Sequence, residues 1–275
     1  MPTPPTTFDV QPSPRELARA EFVSLLSTHG DDLPLAEAAA WIAAEERAAT
    51  SIDDTMTALG ALSEGLYIPE GTPVIEATAR LNHHLFVTLG FSGNETDYYS
   101  PDNSLLDAVL RDRTGLPITL SLVAIVVADA VGLRLHGVGF PTHFLVSPAE
   151  SLPRFYIDPY FGGRVLRLDQ LEPWFERISE RAGNRMPPLS WWLKPVSSRD
   201  FLVRINNNLR SSYMRRGDLS GALRCVERLL VLHPEAIEAR RDRGLLRIEL
   251  GQEEEGARDL DEYLAARQFE HALTD

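Results

Sequence analysis

A chain of 275 residues, 44% hydrophobic and 24% charged, has the make-up of a soluble globular protein and enough length for one large core or two smaller ones. Its 27 Lys and Arg against 40 Asp and Glu leave a net charge of −13, which repels phosphate backbones and argues against direct nucleic-acid binding. The longest apolar stretch, Leu116 to Ala128, is shorter than the roughly 20 residues that cross a bilayer, and a single cysteine, Cys225, leaves no internal disulfide to form. No charged-then-apolar leader opens the chain, so the expected compartment is the cytoplasm.

Five prolines with Thr and Ser in residues 1–14 predict a mobile tail. Residues 15–68 then read as a helical N-terminal cap. Leu17, Ala20, Phe22, Leu25 and Leu26 form one apolar stripe, and Leu35, Ala38, Trp41, Ile42 and Glu45 continue a second helix, with Pro34 expected at its first position. Helix and strand mix in residues 69–170. Pro73 opens a helix carrying Ile75, Ala79, Leu81 and Phe86; a polar loop over residues 92–102 leads to a helix near residues 103–112, which Asn103 or Ser104 is placed to cap. Gly115 breaks the chain, Pro117 starts a long apolar helix and Gly132 ends it. Three short strands are predicted over residues 133–140, 142–147 and 154–158.

A helical connector, residues 171–198, contains a Pro187-Pro188 break and the pair Trp191-Trp192, whose large rings suit packing of one domain on another. Residues 199–275 hold a repeat of 34 residues, the distance from Gly217 to Gly251; at the same offset Ala222 meets Gly256, Val226 meets Leu260 and Leu230 meets Leu264. That period, with Tyr213, Ala222 and Pro234 in the first copy, is tetratricopeptide-like. Two copies are fewer than the three usually needed for an independent core, so they are expected to lean on the preceding domain. Cys225 lies in the first copy as a small buried thiol. Arg240, Arg241 and Arg243, mixed with Glu235, Glu238 and Asp242, read as a solvated face.

The chemistry centres on His143 and Asp158. If the strands over residues 142–147 and 154–158 pair as an antiparallel hairpin in which facing residue numbers sum to 301, His143 lies opposite Asp158, where a carboxylate fixes the imidazole tautomer. That is the orienting half of a Cys-His-Asp arrangement. Its thiol is expected in the first turn of a helix, where the dipole lowers a thiol pKa, yet the helix from Pro117 contains no cysteine. Thr119 and Ser121 are the substitute nucleophiles; a hydroxyl there needs His143 as general base. A metal site from His136, His143 and Asp158, with His83 and His84, is disfavoured because adjacent helical histidines point about 100° apart and no close-spaced ligand motif occurs. Neither metal nor cofactor is expected. Asn82, Asn94, Tyr98, Tyr99, Arg113 and Pro117 join His143 and Asp158 as candidate cleft residues, while Asn103 and Ser104 read as structural.

The run Leu81-Asn82, Gly93-Asn94, Tyr98-Tyr99, Asn103-Ser104, Arg113, Gly115-Leu116-Pro117-Ile118, Gly132-Leu133, Gly137-Val138, Phe140-Pro141, His143-Phe144, Asp158-Pro159 and Gly162-Gly163 resembles a bacterial transglutaminase-like family. Members carry C-terminal tetratricopeptide repeats and are labelled regulators of sirC expression. The resemblance implies an α+β fold: a papain/transglutaminase-like core with a helical N-terminal cap, followed by all-α tetratricopeptide-like helix pairs. In active relatives the helix begins Gly-x-Cys and a glycine follows fifteen residues after the thiol. Counting back from Gly132 puts Pro117 at the thiol position and Gly115 at the glycine, and His143 and Asp158 match the family's His and Asp. Thr142 stands where relatives often have glycine. The expectation is a non-catalytic scaffold for a protein or peptide partner, regulatory only through such partners, with no nucleic acid or membrane involved. The alternative is a hydrolase or acyl transferase using Thr119 or Ser121 with His143 and Asp158.

Overall fold

A computed structural model describes residues 11–30, 32–149, 154–183 and 185–274. Helices α1 (Pro14–His29), α2 (Leu35–Glu46) and α3 (Ile52–Ala61) form the N-terminal cap. Then come α4 (Val74–Asn82), continued by a π-helical stretch His83–Thr88, strand β1 (Ser92–Gly93), a 3-10 turn Pro101–Ser104, α5 (Leu106–Asp112), β2 (Thr114–Gly115) and α6 (Pro117–Ala130). Strands β3 (Leu135–Val138), β4 (Leu145–Pro148) and β5 (Tyr156–Asp158), a 3-10 turn Pro159–Phe161 and β6 (Arg164–Leu166) follow. The chain ends with α7 (Leu168–Arg181), α8 (Leu189–Trp192), α9 (Ser198–Arg216), α10 (Leu219–Leu232), α11 (Ile237–Glu249) and α12 (Glu253–Thr274). Among the described residues, no helix is long and apolar enough to cross a membrane.

Most of the expected tail, residues 1–10, lies outside the described residues; its end belongs to α1, where Ser13 caps the helix and the Glu16 carboxylate accepts the Ser13 amide at 2.8 Å. The buried face of α1 is Ala18, Phe22, Leu25 and Leu26, whereas Leu17 and Ala20 are exposed, because the 3.6-residue period centres one position away from the expected stripe. Pro34 precedes α2 as its N-cap rather than occupying the first turn. Neither Asn103 nor Ser104 caps α5: both sit in the preceding 3-10 turn, and Leu105 stands at the N-cap without a side-chain bond.

Helix α6 is the hub. It is apolar nearly all round and buried along most of its length, so α2 and α3 of the cap, α9 and the sheet all pack against it. The four strands form an antiparallel meander in the order β3-β4-β5-β6. Val146 and Ile157 on one face pack with Ile125 of α6, while Leu145 and Tyr156 on the other are covered by Leu171 and Trp174 of α7. The connector closes the outer edge of β3, the Val196 amide donating to Gly137 O at 2.9 Å. Trp191 and Trp192 contact each other edge to face at 4.7 Å, Trp191 is half exposed, and Trp192 Nε1 donates to Pro187 O at 3.1 Å within the connector.

The hairpin register is two residues from the expected one. Val146 pairs with Ile157, a sum of 303, and His143 lies before β4 in a turn where its amide donates to Phe140 O at 3.0 Å. A two-residue slip keeps every side chain on its original face, because strand side chains alternate with period two. In that turn Thr142 has φ +60°, a left-handed conformation that is costly for a β-branched residue. This is the backbone requirement behind a glycine at that position.

The helices after residue 198 form two antiparallel pairs, and they lean on the cap through a buried ion cluster. Arg228 of α10, fully buried, lies 2.9 Å from Glu45 and 2.7 Å from Glu46, at the end of α2. Its Nε donates to Asn206 Oδ1 at 2.7 Å. Arg224 donates twice to Glu46, Tyr213 OH donates to the same oxygen at 2.9 Å, and Arg19 pairs with Glu45. Burial works to raise the Glu46 pKa, but Arg228 and Arg224 outweigh it and hold the carboxyl below its ordinary value. Of the expected solvated arginines, Arg241 pairs locally with Glu238 and Asp242, whereas Arg243 binds the buried Asp259 of α12 through two nitrogens and so joins the last helix pair.

Three outcomes follow for stability. Arg228→Ala strands two buried carboxylates and is expected to lower the urea-unfolding free energy of the full chain by about 3–5 kcal/mol; an unchanged midpoint would remove the cluster from its central place. Because the Glu46 pKa is depressed on folding, its contribution is complete above the ordinary value of 4.5 and is lost as pH falls through the folded-state value. Stability measured from pH 6 downward should therefore fall less steeply in Glu46→Gln than in the parent. Thr142→Gly relieves the left-handed strain, at some cost in chain entropy, and is expected to raise stability by about 0.5–1 kcal/mol; a loss would show that the threonine side chain is needed in the turn.

Candidate functional site

The His143 turn is held from behind by a residue of α9. Arg204 of α9 donates to His143 O at 2.7 Å and to Phe140 O at 3.2 Å, with its guanidinium over the Phe144 ring at 5.6 Å. Burial lowers the Arg204 pKa, opposed by nearby Tyr98. So positioned, the imidazole directs Nε2 to Asp158 Oδ1 at 2.9 Å. Asp158, wholly buried at the end of β5, also accepts from the Phe161 amide and from Arg164 Nη2, both at 3.4 Å. With Nε2 turned to the carboxylate, Nδ1 is the ring nitrogen left facing away from Asp158. Three rings surround the imidazole: Trp174 at 5.2 Å, Phe161 stacked at 6.0 Å and Tyr160 edge-on at 6.0 Å. The hydrogen-bonded pair expected from sequence thus forms, although His143 reaches Asp158 from the turn and not from a directly opposed strand position.

No thiol accompanies it. Pro117 is buried at the start of α6, where its missing amide hydrogen costs nothing. Thr119 Oγ1 accepts the Leu116 amide at 3.0 Å and donates to Asn103 O at 2.7 Å; Ser121 Oγ donates to Pro117 O at 2.7 Å. Both hydroxyls are buried and engaged with main chain. Cys225 lies in α10, with its thiol pushed up to about 12 by burial despite Arg228 beside it, so it is a packed sulfur and a poor nucleophile.

The polar loop approaches this centre in layers. Asn94 Nδ2 donates to Asn103 Oδ1 at 2.9 Å, and Asn103 Nδ2 donates to the carbonyls of Asp97 and Tyr98, which fixes the loop over the start of α6. Tyr160 OH donates to Asn94 O at 3.0 Å, and its ring lies where a β-carbon on Gly93 would come within 2.5 Å, so that position has room only for glycine. Tyr98 packs on Tyr160 at 6.1 Å. Burial raises the pKa of both phenols. Tyr99 turns outward beneath Arg215 at 3.9 Å. Asn82 Nδ2 donates to Gly163 O at 2.6 Å, tying down the turn after Asp158. Arg113 is not brought to the cleft: it donates to Leu89 O and lines a separate hollow with Thr50 and Asp107.

Among the described residues, no three His, Cys, Asp or Glu side chains are grouped to hold a metal ion. His84 binds Leu62 O at 2.7 Å, and His136 sits on β3, its pKa lowered by burial and by Arg154. Trp174, Phe161, Arg164 and Arg204 were invisible to motif reasoning. The Asp158-Pro159 turn signals a change of direction near Phe161, but nothing in the sequence assigns Trp174 or Arg204 to His143, since both come from helices far along the chain. Beside the rings lies a hollow of about 310 Å³ lined by Phe161, Arg164, Leu166, Gln170, Trp174 and Arg177.

Comparison with known proteins identifies two sequence families along the chain. The profile of the transglutaminase-like superfamily matches residues 43–207, and that of a tetratricopeptide repeat matches residues 209–273. A UPF0162 protein of Xylella fastidiosa (strain 9a5c) is 41% identical over 189 residues, or 68% of this chain and 66% of its own. A UPF0162 protein of Pseudomonas aeruginosa is 30% identical over 204 residues, 73% of this chain and 72% of its own. F-box only protein 21 of Mus musculus is 35% identical over 100 residues, 34% of this chain and 16% of its own. The chain thus spans just under two thirds of the Xylella relative. No solved structure matches. With its profile matched over residues 43–207, the chain belongs to the transglutaminase-like superfamily, with tetratricopeptide repeats after its core.

Proposed function

We propose that the protein is a non-catalytic, cytoplasmic interaction scaffold that holds a protein or peptide partner in the cleft beside His143 or along its repeats. The observation that carries this reading is the start of α6: proline stands in the thiol position implied by the family pattern, and the two nearest hydroxyls are committed to main-chain carbonyls. A general base acts only on a proton within hydrogen-bond reach, and Thr119 and Ser121 already give theirs to carbonyl oxygens. Tetratricopeptide repeats generally mediate protein–protein contact, and here a groove of about 670 Å³ opens between α9 and α11, with Met214 and Leu245 half exposed on its walls. A regulatory role would run through such partners, consistent with a net charge of −13. The intact His143–Asp158 pair keeps the alternative, hydroxyl-based hydrolysis or acyl transfer, as the competing chemistry.

Pro117→Cys tests the thiol position itself: it places a thiol at the dipole end of α6, where the family pattern pairs it with His143, so iodoacetamide at pH 7 should modify it at least about tenfold faster than Cys225, and His143→Ala should slow that reaction. The parent chain should show no ester hydrolysis or amine incorporation above a His143→Ala background. Turnover that disappears in Thr119→Val or Ser121→Ala would establish the enzyme reading instead.

A further inference from the structure

The hollow beside the His143 rings is walled by donors with spare hydrogen-bonding capacity. Gln170 gives its oxygen to the Arg167 amide at 2.9 Å, which leaves its NH2 group to donate. Arg164 has a single 3.4 Å contact with Asp158 and stands over the Phe161 ring at 5.3 Å. Arg177 is exposed, with no acidic or carbonyl partner among the described residues. In a protein with a net charge of −13, two guanidinium groups left beside one hollow are a local inversion of the overall charge.

Helix α7 sustains that inversion. At 100° per residue, Arg167, Gln170, Trp174, Arg177 and Arg181 fall within an arc of about 80°, and Asp169, Glu172, Glu176 and Glu180 within another of similar width well away from it. The helix is therefore divided lengthwise into a basic stripe and an acidic one, and the side chains of the basic stripe that line the hollow are Gln170, Trp174 and Arg177. Trp174 and Phe161 also form the wall shared with His143, so whatever fills the hollow adjoins the cleft.

We propose that this hollow is a carboxylate-reading subsite that takes an acidic side chain of an extended peptide. The inference rests on the reading of the cleft as a peptide-binding site and adds the chemistry by which that site selects. Planar guanidinium forks match a carboxylate through paired N–H bonds, and the Gln170 NH2 group supplies a further donor. A volume of about 310 Å³ suits a Glu side chain lying between Trp174 and Phe161. An extended backbone, not a free anion, accounts for the rest of the surface. Strand β6 is the outer strand of the sheet, and Val165, Leu168 and Phe161 beside it are exposed apolar side chains that a small inorganic ion has no use for.

The test uses the full chain and a fluorescein-labelled, end-blocked pentapeptide of alternating valine and glutamate, read by fluorescence polarisation against the same peptide with glutamine in place of glutamate. The glutamate peptide is expected to bind at least tenfold more tightly, with an advantage that shrinks as salt rises. Arg177→Gln, at an exposed position without partners among the described residues, is expected to remove most of that advantage, Arg164→Gln to reduce it, and Arg258→Gln, an equal charge change on α12, to leave it intact. Equal binding of the two peptides, or an advantage untouched by Arg177→Gln, overturns the subsite while leaving the non-catalytic reading in place. Displacement of the peptide by inorganic phosphate as effectively as by unlabelled peptide assigns the hollow to free anions and overturns the peptide assignment. Cleavage of the peptide would overturn the non-catalytic reading and not the subsite.

Discussion

Two adjacent carboxylates at the C-terminal end of a helix are hard to bury, because the helix dipole there already favours positive charge and desolvation penalises each ion. Glu45 and Glu46 are nevertheless almost wholly enclosed. What makes this possible is Arg228, itself fully buried, which meets both, with Arg224 and Arg19 completing the neutralisation from either side. Arg19 comes from the first helix, the glutamates from the second, and Arg224 and Arg228 from the tenth. Removing any one member leaves others buried without compensation, so cap and repeats form one folding unit. Two repeat copies need no third because the cap takes its place.

The same dependence explains how the site is built. Helix α9 is tied to Glu46 of the cap by Tyr213 and to Arg228 of α10 by Asn206, and the Arg204 it carries holds the two carbonyls of the turn that presents His143. The imidazole is then clamped between Asp158 and three aromatic rings. The centre is drawn from a turn, a strand end, a 3-10 turn and α7, with α9 supporting it from outside. The start of α6 is finished in another way: Pro117 and Thr119 satisfy the helix end internally, and Asn103 and Asn94 lock the overlying loop.

Local patterns made much of this legible. Helix α6 begins at Pro117 and is followed by Gly132 at φ +78°, as the punctuation of proline and glycine requires, and the repeat helices follow the 34-residue period. His143 and Asp158 were readable as a pair, but the reason offered for their contact was wrong by two residues, because the left-handed turn at Thr142 cannot be seen in a period-two pattern. Glu45 was placed on the buried face of its helix, yet its charge made sense only once Arg228 arrived from nearly two hundred residues away. Trp174 and Arg204 escaped for the same reason. Side chains that meet through tertiary packing leave no spacing to read, and the residues nearest the imidazole are of this kind.

Helix α9 carries Arg204 three turns from its C-terminal end and lines the repeat groove with Arg210, Met214 and Arg215. A helix is stiff over that length, so the groove and the His143 turn are two ends of one lever. Were occupancy of one end to shift the helix, its effect on the other end would be matched in the reverse direction, since linkage between two binding equilibria is reciprocal. On the scaffold reading proposed above, α9 would hold two ligands at a fixed separation along one rigid element.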